Sequence, residues 1–245
     1  MSMRALLLAA GFGTRLRPLT DSVPKCLVEI DGRPLLDHWI ALLAGGGVAD
    51  ILVNLHYLAD VVRAHIESHR YPARVTSVYE ERLLGTGGTL LENRAFFMGG
   101  PAMLVHADNL SRFDPQAFID RFLSRRKGIE ITMMTFRTDA PGSCGIVELD
   151  RRGVVQAFHE KVRNPPGNLA NAAVYIVSPA VIDFMAGLGS DVIDFSTEVL
   201  PRFLGRINTF HNGIYHRDIG TMESLLAARR EYRGLPAPRI LYGAT

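Results

Sequence analysis

The chain has 245 residues, 47% hydrophobic and 21% charged, with a formal net charge of +2. These are the values of an ordinary globular protein, long enough to bury a sizeable core. They give no general electrostatic case for binding nucleic acid or a membrane. The two cysteines, Cys26 and Cys144, match no metal or redox spacing and read as reduced thiols. Met1-Ser2-Met3-Arg4 runs straight into an apolar segment with no small-residue cleavage site, and no apolar run approaches the ~20 residues that span a bilayer. A cytoplasmic location is therefore expected.

Ala5 to Ala10 has the composition of a buried central strand and breaks at Gly11-Phe12-Gly13. Glycine admits positive φ and lets a ligand approach the backbone without a Cβ in the way. A strand that empties into such a turn presents free backbone N–H groups, which favour an anion. Arg15, Arg17 and Lys25 add fixed cations, the usual partners of phosphate. A dinucleotide fingerprint needs a third glycine where Leu16 stands, and a P-loop needs a Gly-Lys-Ser/Thr triplet that the chain lacks.

Asp31 to Pro34 reads as a turn, Leu35 to Leu43 as a helix stopped by Gly45-Gly46-Gly47, and Ile51 to Leu55 as a second buried strand. Leu58 to His69 reads as an amphipathic helix and Val75 to Tyr79 as a third strand. Strand and helix alternating in this way argue a parallel sheet with helices on both faces. Glu80 to Leu90 is a second Gly-rich passage from strand to helix, at the strand end where ligands of open α/β sheets collect. Its glycines would let a flat nucleobase lie against the backbone.

Met103 to His106 is a fourth strand ending in Ala107-Asp108-Asn109, and a carboxylate at such a tip suits Mg²⁺. Phe113 to Arg126 is expected to be a helix and Ile129 to Arg137 a strand. Ile146 to Leu149 and Val154 to His159 read as a hairpin, and Ala173 to Val177 as a further strand. Ser178 to Met185 and Phe195 to Leu204 read as helices, with Pro201 a kink in the second. A strand over Phe210 to Tyr215, the acidic Asp218 and a helix over Glu223 to Tyr232 complete the pattern. The eight histidines show no ligand-like pairing along the chain, and no Ser-His-Asp or Cys-His arrangement is evident.

Gly-Phe-Gly-Thr-Arg-Leu-Arg-Pro-Leu-Thr, then four residues and Lys25, resembles the signature loop of the sugar-1-phosphate nucleotidyltransferase family, the nucleoside-diphosphate-sugar pyrophosphorylases. Leu84 to Gly88 resembles the family's base-recognition loop. Cys144-Gly145, Glu160-Lys161 and Asn171-Ala172-Ala173 resemble its sugar-phosphate positions, where Tyr-Gly and Asn-Ala-Gly are more usual. The resemblance implies an α/β fold, a Rossmann-like mixed, mainly parallel sheet flanked by helices with a small β-rich sugar-binding part. It implies one nucleotidyltransferase domain over 1–232, with a nucleotide-binding half at 1–137, a sugar-phosphate half at 138–232, and a tail at 233–245.

The reaction implied joins an NTP and a sugar 1-phosphate to give an NDP-sugar and pyrophosphate, with Mg²⁺ as cofactor and no nucleic acid or membrane partner, in a monomer or homodimer. By the same resemblance, Leu8, Ala10, Gly11, Gly13, Thr14, Arg15, Lys25, Glu80, Gly85, Thr86 and Gly87 bind the nucleotide. Gly145, Glu160, Lys161 and Asn171 bind the sugar phosphate, Asp108 and Asp218 hold the metal, and Arg15, Lys25, Asp108 and Lys161 carry catalysis. The Leu84 to Gly88, Phe195-Ser196 and Arg217 to Thr221 stretches lean toward guanylyltransferases of mannose or manno-heptose 1-phosphate. Uridylyl or thymidylyl transfer is the nearest alternative. A non-catalytic sugar-nucleotide sensor should have lost a loop cation or a metal acid, and a glycosyltransferase of similar fold would want an Asp-x-Asp pair that the chain lacks.

Overall fold

A computed structural model describes residues 3–233 and 235. The strands and helices are, in chain order, β1 (Arg4–Leu8), β2 (Glu29–Ile30), β3 (Arg33–Pro34), α1 (Leu35–Gly45), β4 (Asp50–Leu55), α2 (Ala59–Ser68), β5 (Arg74–Tyr79), α3 (Gly85–Glu92), β6 (Ala102–His106) and β7 (Asn109–Arg112). There follow α4 (Pro115–Leu123), β8 (Ile131–Arg137), β9 (Gly145–Leu149), β10 (Val155–Glu160), β11 (Leu169–Val177), α5 (Pro179–Ala186), β12 (Ile207–His211), β13 (Tyr215–Asp218) and α6 (Met222–Tyr232). The fold is α/β with parallel and antiparallel strand pairs and flanking helices, as expected. Among the described residues no helix is long and apolar enough to cross a membrane. The tail expected at 233–245 falls outside the described residues except at 233 and 235.

Two compact units interleave along the chain. One, the loop unit, takes the residues up to Arg82, His106–Pro115 and those from Ile214 on. The other, the hairpin unit, takes Leu83–Val105 and Gln116–Gly213.

In the loop unit β1, β4 and β5 run parallel, with Leu6 beside Leu52 and Leu52 beside Thr76. Parallel strands covered on both faces need continuous apolar runs, and β4 is buried along its whole length. The helix α1 buries Leu35, Leu36, Trp39, Ile40 and Leu43, and α2 buries Ala59, Val62 and Ile66 at spacings of three and four. A second cluster joins Leu16, Val28, Ile30, Leu35, Leu110, Ile219, Leu225 and Ala228. It therefore ties the 3₁₀ turn Thr14–Leu16 to β7 and α6 from beneath.

The hairpin unit is a mixed sheet. The strand β11 lies antiparallel to β6, β8 and β9, β10 lies antiparallel to β9, and β12 runs parallel to β8. Three expectations are corrected here. The helix expected at Phe113 starts only at Pro115 because Asn109–Arg112 forms β7, paired with β13. Proline fixes a first helical turn and disfavours helix in the residue before it. The strand expected over Phe210 to Tyr215 is two strands, β12 and β13, parted at Asn212-Gly213, which are turn residues. Phe195 to Leu204 is not a kinked α-helix either. Phe195–Val199 makes a π turn, and Leu200–Phe203 a 3₁₀ turn with Pro201 near its start.

Candidate active site

The signature loop hangs from the carboxyl end of β1. Ala9 N–H donates to Asn54 Oδ1 at 2.8 Å, which fixes the chain as it leaves the sheet. Gly13 takes φ 63°, the left-handed region that favours glycine, and a Cβ there would stand 3.0 Å from Thr20 Cγ2 and 3.2 Å from Lys25 Cβ. Its carbonyl accepts from Leu16 N–H at 2.9 Å and from Thr20 Oγ1 at 2.8 Å, closing the loop on itself. Gly11 differs: a Cβ there would meet nothing within 4 Å. Packing does not require glycine at 11, so any demand for one comes from whatever approaches the loop.

The same unit brings four charged side chains together. Lys25 Nζ is buried and lies 2.7 Å from Asp108 Oδ2 and 3.7 Å from Asp218 Oδ1, while Arg15 Nη2 is 3.9 Å from Asp218 Oδ2. Backbone geometry sets this up. Ala107 N–H donates to Leu8 O at 3.1 Å, which holds the turn carrying Asp108 against the end of β1. Asp218 pairs with Asn109 in the antiparallel β7–β13 ribbon, so the two acids are neighbours across two strands. Gly220 allows the approach of Arg15, since a Cβ there would lie 2.7 Å from both Arg15 Nη2 and Asp218 Oδ2.

Burial, the largest single influence, opposes ionisation of Asp108, but the Lys25 ammonium with its hydrogen bond, His106 and a backbone hydrogen bond together hold the carboxyl below its ordinary value. His216 is pushed down to about 3 by burial, against a weaker opposing pull from Asp108, and stays neutral near the acids. The side chains of Asp108 and Asp218 keep 40% and 54% of their exposure, so both carboxylates remain open to solvent. Two carboxylates with open faces are a donor set of the kind that suits a hard divalent cation.

Glu80 follows β5. Its N–H donates to Leu55 O at 2.9 Å, and its carbonyl accepts from His56 Nδ1 at 2.8 Å. Its carboxylate is different: the residue is 6% exposed, and neither oxygen has a hydrogen-bond partner among the described residues. Buried polar groups are almost always paired, so an orphaned carboxylate calls for a reason. Since β1, β4 and β5 are parallel neighbours, Glu80 and the signature loop share one sheet edge, roughly 10 Å apart. The rings of Phe12, His56 and Tyr79 form a row along that edge, with centroids 5.4 and 6.5 Å apart.

In the hairpin unit, Gly145 stands opposite Glu160 in the β9–β10 register, and a Cβ on it would come within 2.7 Å of both Phe158 and Glu160. Lys161 turns the chain out at φ 48°, and its exposed ammonium lies 3.4 Å from Glu160 Oε1. Asn171 donates through Nδ2 to Tyr175 Oη at 2.5 Å and accepts through Oδ1 from Ala173 N–H at 3.0 Å. Ala170 bridges to Ile146, so Gly145, Glu160 and Asn171 lie on three adjoining strands, with Lys161 just past the end of β10. Ala173 takes φ 53°, which explains why glycine suits that position better.

The glycines after Leu84 have a packing cause within this unit. Gly87 and Gly88 N–H both donate to Ile193 O, at 2.9 and 3.3 Å, and Phe195 N–H donates to Thr86 Oγ1 at 3.0 Å. A Cβ on Gly85 would stand 2.5 Å from Ile193 O, and one on Gly88 2.2 Å from Asp191 O. The N–H groups of Gly87 and Gly88 are thus already engaged by the 191–194 segment. Gly88→Ala is expected to lower stability by about 2–4 kcal/mol through this backbone clash, read as a drop in Tm.

Sequence reasoning missed β7, a run too short and polar to read as a strand, and it missed Tyr175 as the partner of Asn171. It also expected no ligand-like pairing among the histidines. The structure brings His65 and His69 together with Asp37, with one ligand atom from each lying within 4.8 Å of the others. The spacing of the two histidines, four residues apart on one predicted helix, was the signal for it.

The Nucleotidyl transferase family profile matches residues 4–234. A rice (Oryza sativa subsp. japonica) protein described as a probable mannose-1-phosphate guanylyltransferase 1 is 32% identical over 94% of this chain and 64% of its own. The mannose-1-phosphate guanylyltransferase of Mycobacterium tuberculosis is 31% identical over 96% of this chain and 67% of its own. The chain thus spans about two thirds of the length of these relatives. Among solved structures, HddC from Yersinia pseudotuberculosis complexed with GMP-PN superposes with a TM-score of 0.79 at 26% identity, covering 95% of this chain and all of that one.

Proposed function

Because the chain belongs to the nucleotidyl transferase family, we propose that it transfers a guanylyl group from GTP to a manno-configured hexose or heptose 1-phosphate. An oxygen of the sugar phosphate attacks the α-phosphorus in line. The bond from that phosphorus to the α,β-bridging oxygen breaks, and pyrophosphate leaves with the bonding pair. No protein nucleophile is needed; the work is to bring two polyanions together and to stabilise the charge that develops.

The convergence of the cations Lys25 and Arg15 on the acids Asp108 and Asp218 is the observation that carries this reading. Asp108 and Asp218 would hold Mg²⁺, which when bound neutralises phosphate charge and aligns the reacting oxygens. Arg15 and the N–H groups of Gly11 to Thr14 take the β- and γ-phosphates, and Lys25, released from Asp108, takes the α-phosphate. Lys161 pairs with the sugar phosphate, while Gly145, Glu160 and Asn171 meet the sugar.

Glu80 favours guanine. Two acceptor oxygens side by side complement guanine N1–H and N2–H, the only adjacent pair of donors on a common base edge. Uracil and thymine offer one donor flanked by two carbonyls, which a carboxylate repels. The names of the relatives point the same way.

Pyrophosphate release from each of the four NTPs against mannose, manno-heptose and glucose 1-phosphates tests the assignment. GTP with a manno-configured phosphate should react fastest. Preference for UTP or dTTP would overturn the guanylyl assignment, and no pyrophosphate from any pair would overturn the enzyme reading.

A further inference from the structure

We propose a second metal site in this chain, a transition-metal site built from Asp37, His65 and His69, distinct from the acids around Lys25. Asp37 lies in the first turn of α1, His65 in the last turn of α2, and His69 just beyond that turn. Asp37 is 7% exposed, and its Oδ1 accepts from His65 Nε2 at 2.9 Å and from Tyr71 Oη at 2.8 Å. Two ligand atoms on one tetrahedral zinc, each about 2.0–2.1 Å from the ion, stand roughly 3.3 Å apart. The Asp37–His65 pair is within a few tenths of an ångström of that spacing.

His69 is prepared in its tautomer. Its Nδ1 lies 2.7 Å from the carbonyl oxygen of His65. A carbonyl can only accept, so Nδ1 carries the proton and Nε2 keeps its lone pair. A ligating imidazole is normally held in this way, by a backbone carbonyl on its other nitrogen. The rings of His65 and His69 are 4.1 Å apart, one at the end of α2 and the other just past it. Tyr71 stacks at 6.0 Å from His69 and stands ready beside Asp37, as a fourth ligand or as a brace for a bound water.

The donor set selects the ion. Two imidazoles and one carboxylate suit Zn²⁺, Co²⁺ or Ni²⁺, whereas Mg²⁺ prefers an all-oxygen shell. Binding converts the His65–Asp37 hydrogen bond into two bonds to the ion, so His65 presents the Nε2 lone pair and carries its proton on Nδ1. Such an ion would clamp α1 to α2 and to the start of the segment leading into β5. None of the three ligands is bonded to Arg15, Lys25, Asp108 or Asp218.

The test uses the full chain without a histidine tag, stripped with a chelator, and titrated with Zn²⁺ by calorimetry and with Co²⁺ by absorption. One equivalent should bind at micromolar free ion or tighter, raise Tm, and give Co²⁺ a d–d band of four- or five-coordinate intensity. His69 is exposed, so His69→Ala should keep the chelated protein's Tm and its Mg²⁺-supported turnover while weakening Zn²⁺ binding at least about tenfold. His65→Ala should do the same to binding. Failure to bind a single equivalent would overturn the site. So would one-to-one binding that both variants leave unchanged, since that ion would sit elsewhere, on Cys144 or on the Asp108–Asp218 pair.

Discussion

Lys25→Ala is expected to cut kcat by about 10²-fold or more, with the protein still folded. Lys25 is the point on which Asp108 and Asp218 both close, and its side chain is 8% exposed. Removing it takes away the cation assigned to the α-phosphate and leaves two carboxylates facing each other. The stability cost is held to the order of 1 kcal/mol, because both acids keep roughly half their exposure and water screens them. Circular dichroism and thermal melting should therefore show a folded protein, and single-turnover kinetics should place the loss in the chemical step. Near-normal kcat in this variant would contradict the role given to Lys25.

Glu80→Gln is expected to act in opposite directions on stability and on substrate choice. Both carboxylate oxygens of Glu80 are buried and have no hydrogen-bond partner among the described residues, an arrangement that typically costs about 1–3 kcal/mol. Replacing the carboxylate by a neutral amide relieves part of that cost, so Tm of the protein alone should rise by a few degrees. KM for GTP should rise about tenfold to a hundredfold, because one charge-assisted bond is lost and the amide N–H₂ meets a donor on guanine. The preference over UTP should narrow, since an amide complements the N3–H and O4 of uracil. An unchanged KM for GTP would remove Glu80 from base recognition.

The parallel half of the fold was legible in the sequence because each of its strands is a continuous apolar run closed by a Gly-rich turn. β1, β4 and β5, with α1 and α2 between them, stand within a few residues of where periodicity put them. β7 was not legible: Asn109 to Arg112 alternates too briefly, and only its distant partner β13 makes it a strand. The same pairing limits what a sequence can say about Asp108 and Asp218. Each stood out as an acid beside a strand end, but their closeness arises from strand pairing across about half the chain. Glu80 was singled out by resemblance alone, and its lack of a partner is a property of packing that no local pattern carries. Conversely, the glycines of 85–88 looked like ligand-facing residues, and the structure gives them a steric duty toward Ile193 and Asp191. The Asp37, His65 and His69 group escaped notice because its acid comes from another helix.

The β7–β13 ribbon makes the spacing of the two acids a matter of strand alignment. Asp218 lies opposite Asn109, and the residue before Asn109 is Asp108. A slip of one residue in that ribbon would turn Asp218 to the opposite face and leave Asp108 where it is. If the two acids hold a divalent ion as proposed, its affinity would be tunable from Leu110, Ser111, Tyr215 and His216. A chain that drifted at those positions would lose that affinity with both carboxylates intact.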